Sequence, residues 1–210
     1  MRFLTLFGIF ASMAYPQLSA GKELSIGRRM ATDLETKHPL LRDPDAIGFV
    51  DDVVQRVVRG QTLRAPLHLM VFQSPDPVMS ALPGGFLLIS SGAILAAESE
   101  TQFAGMVAHA VAHAQAEVLV RRVPGGLSMV FTGGPWGACM KSVPWSGTLL
   151  ALESLTNLKA REEAADALAP TYLANAGYDS QPGNGRRFGE IKARLASAVT
   201  AARSVPTLRR

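Results

Sequence analysis

Apolar residues recur every three or four positions over four stretches of the chain, which is the spacing of one face of an α-helix. The predicted helices cover residues 23–37, 44–59, 99–122 and 149–176. Gly60 and Gly177 follow the second and the fourth helix, where a glycine favours termination. Pro170 is expected to kink the last helix, because its ring nitrogen cannot donate to the carbonyl of Asp166.

Two shorter segments have the pattern of β-strands. Residues 67–73 alternate apolar and polar side chains, and the apolar run 86–90 follows a predicted turn, Ser80-Ala81-Leu82-Pro83-Gly84-Gly85. Residues 124–147 are rich in Gly and Pro and are predicted to form a loop. The sequence therefore predicts an α+β fold that is mostly helical, with a small antiparallel or mixed sheet.

The composition is that of one folded domain. The chain has 210 residues, of which 48% are hydrophobic and 18% charged, so it can bury one core but not two large ones. Its single cysteine, Cys139, excludes an intrachain disulfide framework and a cysteine-based zinc finger. Residues 21–210 are accordingly predicted to form a single domain.

Residues 1–20 have the composition of a secretory signal peptide. Arg2 supplies the positive start, a short apolar core follows, and small residues end the segment at Ser19-Ala20. The alternatives are an uncleaved membrane anchor or a first buried helix. We expect the protein to be exported, to the periplasm or the extracellular medium.

The net charge of +4 is concentrated in a basic C-terminal helix predicted over residues 183–210, in which Glu190 is the only acidic residue. A basic terminal helix is usually a solvated surface, although it can contact an anionic membrane peripherally. No RNA-binding strand and no helix-turn-helix pattern accompanies it, so no nucleic-acid partner is predicted.

Two pairs of polar side chains interrupt the apolar helices. His109 and His113 are four residues apart, and so are Glu162 and Asp166. Residues at this spacing lie on one helix face, so both imidazoles can reach one metal ion. Two histidines and a carboxylate from a second helix form a ligand set of catalytic zinc, and Asp166 can accept the other N–H of a ligand histidine. The alternatives are two hydrogen-bonded histidines and a helix whose acids face solvent.

Four motifs occur in a familiar order: Ala81-Leu82-Pro83-Gly84-Gly85, His109-xxx-His113, Glu162-xx-Ala165-Asp166 and Ala176-Gly177-Tyr178-Asp179. With these motifs the chain resembles, over residues 23–182, the zinc metallopeptidase family of the CAAX prenyl protease, HtpX and BepA type. The resemblance implies a zincin-like (gluzincin) fold and a Zn²⁺ ion bound by His109, His113 and Glu162.

The resemblance also implies where a polypeptide substrate binds. In the family, the strand after Pro-Gly-Gly lies along the cleft, and the substrate peptide pairs with the edge of that strand. The corresponding residues here are Phe86, Leu87, Leu88, Ile89 and Ser90.

The chain departs from the family at the residue that carries the proton. The family motif is HExxH, whereas this chain reads HAVAH, with Ala110 in place of the general-base glutamate. Loss of such a group typically lowers the rate by about 10²- to 10⁴-fold. Glu163 and Glu117 are the acids nearest in sequence that could replace it.

Three functions remain open on the sequence. The first is an exported zinc metalloendopeptidase of weakened activity that acts on polypeptides of the cell envelope. The second is a catalytically inactive pseudoprotease that binds unfolded polypeptide as a chaperone or regulator. The third is a helical envelope protein without a metal ion.

Overall fold

The computed structural model describes residues 19–115, 120–123, 126–129, 155–178 and 183–204. The helices are α1 (Ala20–Lys37), α2 (Pro44–Val58), α3 (Ser91–Ala96), α4 (Glu100–Gln115), α5 (Leu155–Asn175) and α6 (Gly185–Ser204). The strands are β1 (His68–Phe72), β2 (Met79–Leu82), β3 (Phe86–Ser90), β4 (Val120–Val123) and β5 (Gly126–Met129), and a 3₁₀ turn, Pro83–Gly85, joins β2 to β3.

The predicted α+β class is confirmed, and most predicted elements lie within a few residues of the observed ones. Three expectations are wrong. The helix predicted over 99–122 does not reach its predicted end, because Val120–Val123 forms strand β4. This strand pairs antiparallel with β5 (Gly126–Met129), which lies inside the predicted loop. Residues 80–82, predicted as part of the turn before β3, belong to strand β2. The predicted signal segment 1–18 and most of the loop 124–147 lie outside the described residues.

Strand β3 is the centre of a three-stranded mixed sheet with the order β1-β3-β2. It pairs parallel with β1 and antiparallel with β2. Leu87 and Ile89 face one hydrophobic cluster and Leu88 faces another, and all three are fully buried. A strand that is covered on both faces reads as a continuous apolar run, which explains its sequence.

The larger cluster joins α2, α4 and α6 on one face of the sheet. Phe49 of α2 lies 5.9 Å from Phe103 of α4 and 5.6 Å from Phe188 of α6, measured between ring centroids. The smaller cluster joins α1 to the opposite face of the sheet through Leu34 and Phe72. Helix α4 is therefore a central element, packed against α2, α5 and β2.

Three basic residues of α6 pack this helix onto its neighbours. Arg187 pairs with Asp52 at 2.7 Å, and Arg194 pairs with Asp43 at 3.1 Å. The ammonium group of Lys192 donates to the carbonyl of Ala97 at 2.6 Å. Within the described residues, no helix combines the length and the hydropathy that a membrane span requires.

Helix α1 approaches the Pro83–Gly85 turn backbone to backbone. A Cβ atom at Gly27 would overlap the carbonyl oxygen of Pro83, and one at Gly84 would lie 2.5 Å from the Cα of Leu24. Gly84 also has a φ of +73°, which L-residues with side chains rarely adopt. The glycines of both segments therefore make this contact possible.

We expect Gly27→Ala to lower the free energy of unfolding by about 1–3 kcal/mol, because the added methyl group must displace backbone atoms of the turn. Urea denaturation of the purified protein measures the change. Gly48→Ala in α2 is the matched control, because a Cβ there meets no atom within 4 Å. The control should be neutral or stabilising by up to about 1 kcal/mol. Equal stability of Gly27→Ala and Gly48→Ala would contradict the close contact between α1 and the Pro83–Gly85 turn.

Candidate metal centre

His109 and His113 project from the second half of α4 with their ring nitrogens facing each other. The two Nε2 atoms are 3.0 Å apart, and the ring planes cross at 75°. His113 is 8% exposed, and the side chain of His109 is 18% exposed. The spacing of four residues therefore brings the two imidazoles together, as the helix geometry predicts.

Asp166 of α5 lies behind the first histidine. Its Oδ1 atom is 3.1 Å from Nδ1 of His109. A proton on Nδ1 that is donated to this carboxylate leaves the Nε2 lone pair of the neutral ring available to a ligand. The carboxylate thus favours the tautomer in which the Nε2 lone pair of His109 faces Nε2 of His113, at hydrogen-bond distance from it.

The pair of nitrogens has a separation that one zinc ion can bridge. Zinc binds imidazole nitrogen at about 2.0–2.1 Å, so two nitrogens must be less than about 4 Å apart to share an ion. The observed separation of 3.0 Å meets this requirement. Imidazole nitrogens also suit zinc chemically, so the residues present fit the ion.

The third predicted ligand is placed only through its backbone. Glu162 belongs to α5 (Leu155–Asn175), one turn before Asp166, and its side chain lies outside the described part of the chain. Among the residues whose side chains are described, no group of three or more His, Cys, Asp or Glu could hold a metal ion. Coordination by Glu162 therefore stays a prediction.

The position of the missing general base is apolar and closed to solvent. Ala110 is 4% exposed and belongs to the large hydrophobic cluster together with Val107 and Val111. A methyl group neither accepts nor releases a proton. Of the two acids that could replace the base, Glu163 is exposed on α5, and Glu117 lies outside the described residues.

The expectation that a substrate peptide pairs with a free edge of residues Phe86–Ser90 is wrong in its premise. These residues form β3, which is bonded to β1 along its whole length and to β2 from Phe86 to Ile89. In the described part of the sheet, the edge strand beside α4 is β2. The sequence pattern identified a strand but not its neighbours.

The beginning of α4 is fixed by Glu100, a buried carboxylate. Its Oε1 atom accepts from the hydroxyl of Tyr178 at 3.0 Å, and its Oε2 atom accepts from the backbone N–H of Asn184 at 2.7 Å. The guanidinium of Arg56 is 3.7 Å from Oε1 and lies 3.8 Å above the Tyr178 ring. Burial and the adjacent carboxylate raise the pKa of Tyr178, so its hydroxyl stays protonated and donates.

The end of α4 is fixed by Gln115, two residues after His113. Its side-chain amide binds both main-chain groups of Ala65, and its carbonyl accepts from Arg64. Sequence reasoning predicted the beginning of the helix, but it missed the contacts of Glu100 and Gln115 that fix it. Tyr178 does lie within the fourth motif of the family, but no local pattern identifies Gln115.

No protein-family model matches the chain. The chain is similar to the beta-barrel assembly-enhancing proteases of Escherichia coli (strain K12), at 22% identity over 179 residues, and of Yersinia pestis, at 23% over 184 residues. Both matches cover 78% of this chain and 36% and 37% of the relatives, respectively. A protein of Vibrio cholerae is 24% identical over 184 residues, which are 80% of this chain and 38% of its own length. The chain thus spans little more than a third of these relatives, and their names support its resemblance to a protease family.

Proposed function

We propose that this chain is a zincin-like (gluzincin) metallopeptidase domain in which His109, His113 and Glu162 hold Zn²⁺ and Asp166 orients His109. The observation that carries the proposal is the pair of Nε2 atoms 3.0 Å apart, with the Asp166 carboxylate on the far side of one ring. A zinc ion held there would polarise a peptide carbonyl as a Lewis acid. Polypeptides are the proposed substrates, because the similar proteins are named as proteases.

We propose that hydrolysis is weakened because the chain has no proton carrier after His109. In an HExxH helix the glutamate moves a proton from the attacking water to the leaving amine. Ala110 can do neither, because its methyl group does not exchange a proton, and the residue is only 4% exposed. The same observation favours a second function, that of a pseudoprotease which binds unfolded polypeptide as a chaperone or regulator.

The proposed site of an extended peptide is the edge of β2, in place of β3. Strand β2 is the sheet edge that packs beside α4, and an added strand can bond only where main-chain groups of an edge are available. We propose that the protein is exported by a signal peptide at residues 1–20 and meets polypeptides in the cell envelope. Peripheral membrane contact has less support, because Arg187, Lys192 and Arg194 bind groups of this chain.

The purified protein should contain about one zinc ion per chain, and His113→Ala should lose it, because one imidazole cannot hold the ion against a chelator. Metal analysis after dialysis measures both values. His38→Ala is the control, since that ring lies at the end of α1 and contacts Phe72. If the wild type and His113→Ala contain equally little metal, the result contradicts the metal site. It would favour the third function, that of a helical envelope protein without a metal ion.

Ala110→Glu should raise the rate of casein hydrolysis by about 10²- to 10⁴-fold, because it restores a general base. Ala110→Gln has nearly the same size but cannot carry the proton, so its rate should stay at the wild-type value. Zinc content and thermal unfolding of both variants report whether the buried position accepts the longer side chain. A wild type that already matches Ala110→Glu would show that another residue supplies the base.

If the protein acts as a pseudoprotease, His113→Ala should suppress aggregation of an unfolded client as well as the wild type does. Binding along a strand edge uses main-chain hydrogen bonds, which do not depend on the metal ion. Light scattering of a denatured client measures suppression. Loss of suppression in a folded His113→Ala protein would contradict binding without the metal.

A further inference from the structure

Gln115 forms a two-point contact across a long sequence separation. The side-chain Oε1 atom accepts from the N–H of Ala65 at 3.1 Å, and Nε2 donates to the carbonyl of Ala65 at 3.2 Å. Two bonds between one amide and both main-chain groups of one residue fix position and orientation together. Because Gln115 lies two residues after His113, this contact fixes the turn of α4 that carries His113.

Arg64 extends this contact to a buried acid. Its Nε atom donates to the main-chain carbonyl of Gln115 at 3.1 Å, and its Nη2 atom binds Oε2 of Glu23 at 2.6 Å. Glu23 is 3% exposed. One guanidinium therefore joins a helix-terminal carbonyl of α4 to α1, and we refer to Glu23, Arg64, Ala65 and Gln115 as the terminal clamp.

The terminal clamp lies next to close backbone packing on either side of the sheet's 3₁₀ turn. A Cβ at Gly85 would overlap the carbonyl oxygen of Pro66, and Leu24 lies against Gly84. Two of the clamp residues outside α4 are thus next in sequence to Leu24 and Pro66, which cannot shift toward the turn without overlap of backbone atoms. The clamp holds the end of α4 against a rigid support.

The last turn of a helix needs such support when it carries a ligand. Carbonyl groups of a helix end have no intrahelical partners, so terminal turns fray. His113 stands in this last turn, and the opposing Nε2 of His109 is one turn earlier. A movement of the terminal turn would change the separation of the two nitrogens directly.

We propose that Gln115 and Arg64 are positioning residues that hold His113 at metal-binding distance from His109. The inference rests on the proposed metal site but concerns residues outside the four motifs that carry the resemblance. It acts through the backbone of α4, and neither residue contacts the ion.

The test compares Gln115→Met with Gln102→Met. Both changes remove a side-chain amide of α4 that bonds to main-chain groups, but Gln102 lies in the first turn, where it accepts from the N–H of Glu98. Gln115→Met should weaken Co²⁺ binding by about tenfold in chelator competition, the lower end of the loss that follows removal of a hydrogen bond to a metal ligand, because Gln115 acts only through the backbone. It should also change the visible absorption of bound Co²⁺, whereas Gln102→Met should leave affinity and spectrum unchanged.

A second readout does not need the metal ion. In metal-free protein, the nuclear Overhauser effect between the ring protons of His109 and His113 should be present in the wild type and in Gln102→Met, and weaker in Gln115→Met. Arg64→Lys keeps the charge beside Glu23 but loses the planar fork, so it should shift both readouts in the same direction. This variant decides the matter if Gln115→Met does not fold.

The outcomes separate the two proposals. Failure of the wild type to bind Co²⁺ would overturn the metal site, and the ring-proton signal would then decide the positioning role alone. Wild-type affinity, spectrum and ring-proton signal in folded Gln115→Met and Arg64→Lys would overturn the positioning role and leave the metal site standing.

Discussion

The candidate site depends on one helix, α4, whose two ends are held by buried charge. At the first residue, Glu100 is satisfied by Tyr178 and by a backbone N–H, beside the guanidinium of Arg56. At the last, Gln115 shares Arg64 with a buried glutamate. A buried carboxylate is costly unless hydrogen bonds satisfy it, so each network is stable in one arrangement only. His109 and His113 lie between these two ends, so the same contacts fix the position of both side chains.

The parts of the fold that the sequence predicted are those with a strong local signal. Helices α1, α2 and α4 have an apolar face that repeats every three to four residues, and the bounds of α2 differ from the prediction by one residue. Strand β2 has no comparable signal, because it has four residues, all buried, and runs into Pro83-Gly84-Gly85. The order of the strands, which makes β3 central, depends on pairing between separate segments. The periodicity of apolar residues within one segment does not indicate that order.

The candidate site likewise contains features that the sequence predicts and features that it does not. The positions of His109 and His113 follow from helix geometry alone, and the 3.1 Å approach of Asp166 needs only that α5 packs on α4. The hydrogen bonds that fix α4 join residues 50 to 84 positions apart and often use main-chain atoms. No residue-type pattern encodes a main-chain partner, so Gln115 and Arg64 could not be identified before the structure was known.

Ala110 is an apolar residue in an apolar environment, whereas several other buried residues of the domain are polar. A methyl group at that position is compatible with the apolar cluster around it and requires no hydrogen bond. The buried groups Glu23, Glu100 and His113 do require partners, and apolar residues of similar volume would often be at least as stable in their place. A protein that used α4 only for packing would have no need of these networks. The networks therefore hold α4 in a defined position that apolar packing alone does not require.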